Sequence, residues 1–238
     1  MKSKKFVMVG FVLLAAITMV LLPLSGCKTE VDTSAPQQEQ TGDSDSTCSH
    51  TAVIERGYCT ACNELLDSVD LGLSVQWATM NVGATKPEEY GDYFSWGETE
   101  PKDNYLPSKY KYTHNGKPVL DAEYDAATVN LGGAWRMPTK EEMDELCSQC
   151  NWTWMTLSGV AGHEVKASNG NSIFLPAAGK LSGAPPAINR GSRVQYWTSS
   201  LATEVSYRGC CLYFGSSGLA GEQTNHWSKG FSVRPVCE

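Results

Sequence analysis

The sequence predicts an α+β domain: antiparallel strands, one or two short helices and long loops. Two observations point there. Beyond residue 150 the chain falls into short strand-like runs separated by glycines and Asn-Gly turns, the pattern of strands joined by tight connections. Only the stretch that opens at Thr139 carries a clear helical period. The composition agrees. Twenty-two glycines, seven tryptophans and ten tyrosines, with few lysines and arginines, suit a loop-rich domain better than a helical bundle.

The first segment is a leader. Lys2, Lys4 and Lys5 precede an apolar run from Phe6 to Leu22, and Leu24-Ser25-Gly26-Cys27 follows. This order is that of a secretory signal peptide over residues 1–26. Its last four residues look like a bacterial lipobox, which implies cleavage before Cys27 and lipidation of its thiol. A single transmembrane helix is the competing reading, but the apolar run is at the short limit for a span of about 20 residues. The expectation is an outer-membrane lipoprotein exposed at the cell surface, whose membrane partner is reached through the lipid on Cys27. Loss of the leader takes the net charge from −7 to about −10. Such an acidic chain, with no basic patch, is not expected to bind nucleic acid.

Residues 27–47 comprise the lipidated cysteine and a polar segment with almost nothing to bury, a tether. Residues 48–67 form a cysteine-rich cap, and residues 68–238 the main domain. The alternation of Val69, Leu71 and Leu73 with polar or small residues starts a strand, which Val75-Gln76-Trp77-Ala78 extends or restarts. Tyr93-Phe94-Ser95-Trp96 reads as a short aromatic strand, and Glu98 to Pro118 as a long surface loop. Tyr124 to Val129 makes one or two helical turns, closed by Gly132-Gly133. Thr139 with Glu142 has the form of a capping box. Met143, Leu146, Cys147 and Cys150 then share one helical face, and Asn151 is the expected end. Strands are expected at 162–167, 172–175, 193–198, 209–214 and 230–236, with Asn169-Gly170 as a tight turn.

Several of these segments also resemble a known family. They are residues 69–78 (Val-Asp-Leu-Gly-Leu-Ser-Val-Gln-Trp-Ala), Asn81-Val82-Gly83-Ala84, residues 91–99 (Gly-Asp-Tyr-Phe-Ser-Trp-Gly-Glu-Thr), residues 132–139 (Gly-Gly-Ala-Trp-Arg-Met-Pro-Thr), residues 171–179, Tyr196-Trp197-Thr198-Ser199-Ser200 and Ser232-Val233-Arg234-Pro235-Val236. In this order, over roughly residues 68–236, they resemble the Fibrobacter succinogenes major paralogous domain of Bacteroidetes surface lipoproteins. The resemblance implies a C-type lectin-like fold. Calcium-dependent lectins of that fold use a Glu-Pro-Asn or Gln-Pro-Asp loop and a later Trp-Asn-Asp. This sequence has neither, so no calcium site is expected and no cofactor is assigned. Versions of the fold also serve as protein binders, adhesins and enzyme scaffolds, so the fold alone does not choose a function.

Nine cysteines less Cys27 leave Cys48, Cys59, Cys62, Cys147, Cys150, Cys210, Cys211 and Cys237. An even number in an exported chain reads as a disulfide framework. A bridge from Cys147 or Cys150 to Cys237 would staple the helix to the last strand, and Cys210 and Cys211, on opposite faces of one strand, would take different partners. The alternative is a structural zinc held by Cys59, Cys62, Cys147 and Cys150.

Nothing in the chain has the form of a metalloprotease helix, a phosphate loop or a nucleophile elbow. His50, His114, His163 and His226 stand outside any such motif, and no catalytic residue is assigned. Trp77, Trp96, Trp135 and Trp197 read as core. Trp227, with Gln223, Asn225 and His226 just before it, joins an aromatic ring to amides and an imidazole, a set that suits stacking on a sugar or anchoring a protein. Tyr105, Tyr110 and Tyr112 make a second candidate patch. The leading expectation is therefore a non-catalytic surface module that binds a glycan or a protein partner. The alternatives are a structural cell-envelope or appendage-associated lipoprotein without a small ligand, and an extracellular hydrolase.

Overall fold

The computed structural model describes residues 49–50, 52–61, 65–219 and 223–238. The expected leader, Cys27, the tether, Cys48 and Cys62 lie outside the described residues. The described chain is α+β with antiparallel strand pairing. Its elements are β1 (Ile54–Glu55), β2 (Tyr58–Cys59), β3 (Ser68–Val69), β4 (Gln76–Ala78), α1 (Ala126–Leu131), α2 (Lys140–Gln149), β5 (Asn151–Leu157), β6 (Val160–Lys166), β7 (Ser172–Pro176), β8 (Arg193–Leu201), β9 (Arg208–Gly215), β10 (Gly218–Leu219), β11 (Gln223–His226) and β12 (Val236–Cys237). β5-β6-β7 form one sheet and β3-β4-β12 a second. β9 lies at the centre of a third, paired with β8, β10 and β11.

Helix α2 forms where its local chemistry directs. Thr139 accepts from the Glu142 N–H at 3.3 Å, while the Glu142 carboxylate accepts from the Thr139 N–H at 2.8 Å, so two orphan donors are satisfied reciprocally. Met143 and Leu146 are its buried residues. Helix α1 is capped by Asp125, which accepts from the Thr128 N–H, and it stops at Gly132 with φ +68°.

The strand pattern departs from the sequence expectation in three places. Val69 and Leu71 are buried as their alternation predicts, but the ladder ends at Val69, because Gly72 (φ +69°) turns the chain and its N–H bonds Asp70 Oδ1. Tyr93 to Trp96 contributes a single bridge, Phe94 to Phe231. The last strand shrinks to β12, preceded by isolated bridges at Gly230, Phe231 and Ser232; Pro235, beside it, has no N–H to add to a ladder. β5 is an addition: it follows α2 with no intervening loop.

The β8–β9 pair divides the interior. Tyr196, Leu212 and Phe214 face one core with α2 and β6–β7, whereas Trp197 and Cys211 face a second with Trp96, Met137 and Phe231. This is the period-two alternation of strands. The β1–β2 hairpin packs on the first core through Ile54 and Cys59.

The expected disulfide framework is overturned. Cys59, Cys147, Cys150, Cys210 and Cys211 form no disulfide with one another. Cys147 and Cys150 are thiols of the first core, and burial, the larger cause, with Asp144 and Glu145 nearby, pushes them up to about 12 and about 11. Cys59 is a fully buried core residue. Cys210 and Cys211 alternate across β9 as expected, Cys211 entering the second core and Cys210 donating to Leu201 O. Cys237 is disulfide-bonded, but it packs with Ala78 and Trp135 in a separate cluster, so the expected staple to Cys147 or Cys150 is not made. Cysteine here largely serves as a small apolar side chain. Among the described residues, no three His, Cys, Asp or Glu side chains gather to hold a metal.

Candidate aromatic cleft

A cleft of about 590 Å³ opens where the long loop, the β8–β9 connection and the end of β11 meet. That volume lies within the range of small-molecule sites, roughly 300–1,000 Å³. Its aromatic lining comes from Tyr110, Tyr112, His114, Tyr207, His226 and Trp227.

The floor is built from the second core. Trp96 is fully buried, and its indole N–H donates to Thr198 O at 2.9 Å. Trp227 stacks on Trp96 with centroids 5.7 Å apart and planes 18° apart, and His114 stacks on Trp227 at 5.5 Å. Tyr110 packs beside Trp227 and donates its hydroxyl to Trp96 O at 2.8 Å; burial, ahead of the nearby Glu98, holds that phenol above its ordinary value. Two glycines make room. A Cβ on Gly209 would lie 2.5 Å from the Trp96 ring, and one on Gly97 would lie 2.5 Å from the Tyr112 ring.

The rim is different. Tyr207 stands 65% exposed at φ +62°, edge-on to Trp227 at 5.7 Å, with Val205 (46% exposed) close in sequence. The Tyr207 carbonyl accepts from the Trp227 N–H at 3.1 Å, so rim and floor are fixed to each other through the backbone.

The two cleft histidines have hydrogen-bonded ring orientations. His114 Nδ1 accepts from the Gly116 N–H at 3.0 Å and its Nε2 donates to Lys117 O at 2.9 Å. His226 Nδ1 accepts from the Ser228 N–H at 3.2 Å, which leaves Nε2 to carry the proton. Burial is the main cause that lowers the His226 pKa, with Lys229 and Arg208 adding to it.

The structure brings together four of the seven residues singled out from the sequence: Tyr110, Tyr112, His226 and Trp227. Gln223 and Asn225 lie on β11, opposite Cys211 and Gly209, and Asn225 Oδ1 accepts from the His226 N–H. Tyr105 lies elsewhere. It is 1% exposed in a small core with Tyr93, Ala178 and Leu181, and it donates its hydroxyl to Tyr93 O. Tyr207 and His114 were missed. His114 had a signal, since Tyr110, Tyr112 and His114 alternate with Lys111 and Thr113, a period that puts three rings on one face of an extended chain.

The chain matches no family model, no curated protein and no solved structure. The reading of the cleft therefore rests on its own chemistry. It offers aromatic faces and edges, the hydroxyls of Thr113, Thr203 and Ser206, and imidazole nitrogens.

Proposed function

We propose that this chain is a non-catalytic recognition module, displayed at the cell surface through a lipid on Cys27, that binds a glycan in the aromatic cleft. The C-type lectin-like fold suggested by the sequence resemblance belongs to this proposal. The observation that carries it is Tyr207, a largely exposed ring held edge-on to Trp227, above half-buried rings that stack on the buried Trp96. An aromatic face presented to water beside hydroxyl and imidazole groups matches a pyranose, which has an apolar C–H face and a polar rim. Because the floor is preassembled, little ordering is lost when a ligand lands on it.

The test is a broad glycan array probed with the purified protein, with calcium and with chelator, alongside Tyr207→Ala. Saturable binding that survives chelator and is lost in the variant supports the proposal. Binding that needs calcium, or that Tyr207→Ala leaves intact, places recognition elsewhere on the molecule. An array with no hits, together with a stable stoichiometric protein complex, would replace the glycan by a protein partner.

A further inference from the structure

We infer that the sugar taken by the cleft is an uncharged pyranose, seated on the Tyr207 ring beside the Trp227–His114 stack, and that acidic sugars are not its ligands. The inference rests on the glycan reading above and narrows it to a chemical class.

The argument is the charge of the site. Not one of the twelve residues that line the cleft is an Asp, Glu, Lys or Arg. A carboxylate or sulfate on a sugar needs a cationic or strongly donating partner once it leaves water; without one its desolvation is uncompensated. The two cations close to His226 are engaged elsewhere: Arg208 Nη1 donates to Thr224 O at 3.0 Å, and Lys229 Nζ donates to Ser182 Oγ at 2.6 Å. Neither lines the cleft. The net charge, −7 for the whole sequence and about −10 without the leader, also repels an approaching anion at long range.

A cationic amino sugar meets the opposite lack, because no carboxylate lines the cleft among the described residues. A group of carboxylates, Glu98, Glu100 and Glu123, lines a separate cleft that shares only Tyr112 with this one. What the aromatic cleft does offer suits hydroxyl groups. Thr113, Thr203 and Ser206 donate and accept, and His226 Nε2–H is the donor that its Ser228 contact leaves available.

The experiment is a titration followed by tryptophan fluorescence, which Trp227 in the floor should report. The probes are neutral gluco- and galacto-oligosaccharides, the corresponding uronic-acid oligomers and chitosan oligomers, each at low and at high salt. Tyr207→Ala is run in parallel; the residue is 65% exposed, and the ring contact the change removes is the edge-on one with Trp227. The expected result is binding of a neutral series, insensitive to salt and weakened about tenfold or more by Tyr207→Ala. Uronic or amino oligomers that bind as well as neutral ones, or binding that falls steeply with salt, would overturn the inference and leave the glycan reading standing. If no oligosaccharide of any charge binds, both fail together.

Discussion

Arg234 is the most exposed test of how this fold is held together. Its guanidinium is 1% exposed, yet no carboxylate is among its hydrogen-bond partners. Nε donates to Asn81 Oδ1, Nη1 to Ala78 O and Nη2 to Phe174 O, each at 2.9 Å. Asn81 in turn donates to Tyr90 O and to the Tyr196 hydroxyl, so one cation ties β4, β7, β8 and the loop after β4 into a single network. Burial pulls the Arg234 pKa down from its ordinary value, and nearby Tyr196 offsets part of that pull.

Replacing Arg234 by Met keeps much of the volume and removes three donors. Each buried acceptor left without a partner costs about 1–3 kcal/mol, a gross loss of roughly 3–9. Ala78, Asn81 and Phe174 are all buried, which puts the gross loss in the upper half of that range, roughly 6–9 kcal/mol; sparing the burial of a charge returns about 3–4 kcal/mol, so the net loss should fall near 3–5 kcal/mol. For a domain of this size that corresponds to roughly 6–20 °C in Tm. Arg234→Lys should lose a similar amount, since one ammonium cannot reproduce a fork that reaches three separate acceptors. The assay is urea and thermal unfolding followed by circular dichroism. A Met variant within about 1 kcal/mol of the parent, or more stable than it, would refute the claim that this network organises the fold.

Other expectations are as concrete. Gly209→Ala drives a methyl into the Trp96 ring and should cost about 1–3 kcal/mol while changing the near-ultraviolet dichroism of the floor. His163 packs among Trp152, Trp154 and Phe214 with its Nδ1 unpartnered, and burial lowers its pKa from the ordinary 6.5. Its neutral form is favoured by folding, so stability is full above pH 6.5 and falls below it, by up to about 1.4 kcal/mol per pH unit; His163→Phe should flatten that part of the stability curve relative to the parent. Cys147 and Cys150 should resist alkylation in the folded protein at pH 8 and react once it is unfolded, which mass spectrometry of the two peptides would show. Trp227→Ala should lose roughly 2–4 kcal/mol as well as ligand, because the ring is part of the floor, whereas Tyr207→Ala should lose ligand alone; equal stability losses in the two variants would contradict the division between floor and rim.

What could be read from the sequence was what short-range chemistry decides. Helix α2 was legible to within a residue or two because its capping box and apolar face lie in one contiguous stretch. The alternation at Val69 and Leu71 correctly gave burial but not a ladder, since pairing depends on a partner strand elsewhere in the chain. β5 was missed because no turn residue separates it from α2: Cys150 passes directly into extended geometry at φ −112° and ψ 155°. The cysteines misled for a different reason. Their even number argued from compartment, whereas pairing depends on distance, and the fold distributes the described cysteines over separate cores. Within the candidate site, Trp227 was legible as a residue out of place in a polar segment. Its environment was not, because Trp96, His114 and Tyr207 reach it from distant parts of the sequence.

That convergence explains why the cleft sits where it does. The β8–β9 pair has large residues on both faces, so it needs a core on each side. The first core is closed by α2 and a complete three-stranded sheet. Among the described residues the second has no comparable sheet over it and is covered by α1 and by irregular chain, including the segment that carries Tyr110, Tyr112 and His114. A core closed by loops meets solvent at a seam, and aromatic rings fill such a seam well, since they bury large faces. Trp227 lies at that seam, its ring against Trp96 and its backbone N–H held by the rim residue Tyr207. Tyr112 and Trp227, which pack on the second core, thus also line the cleft, and a ligand seated there would extend the core by one further layer.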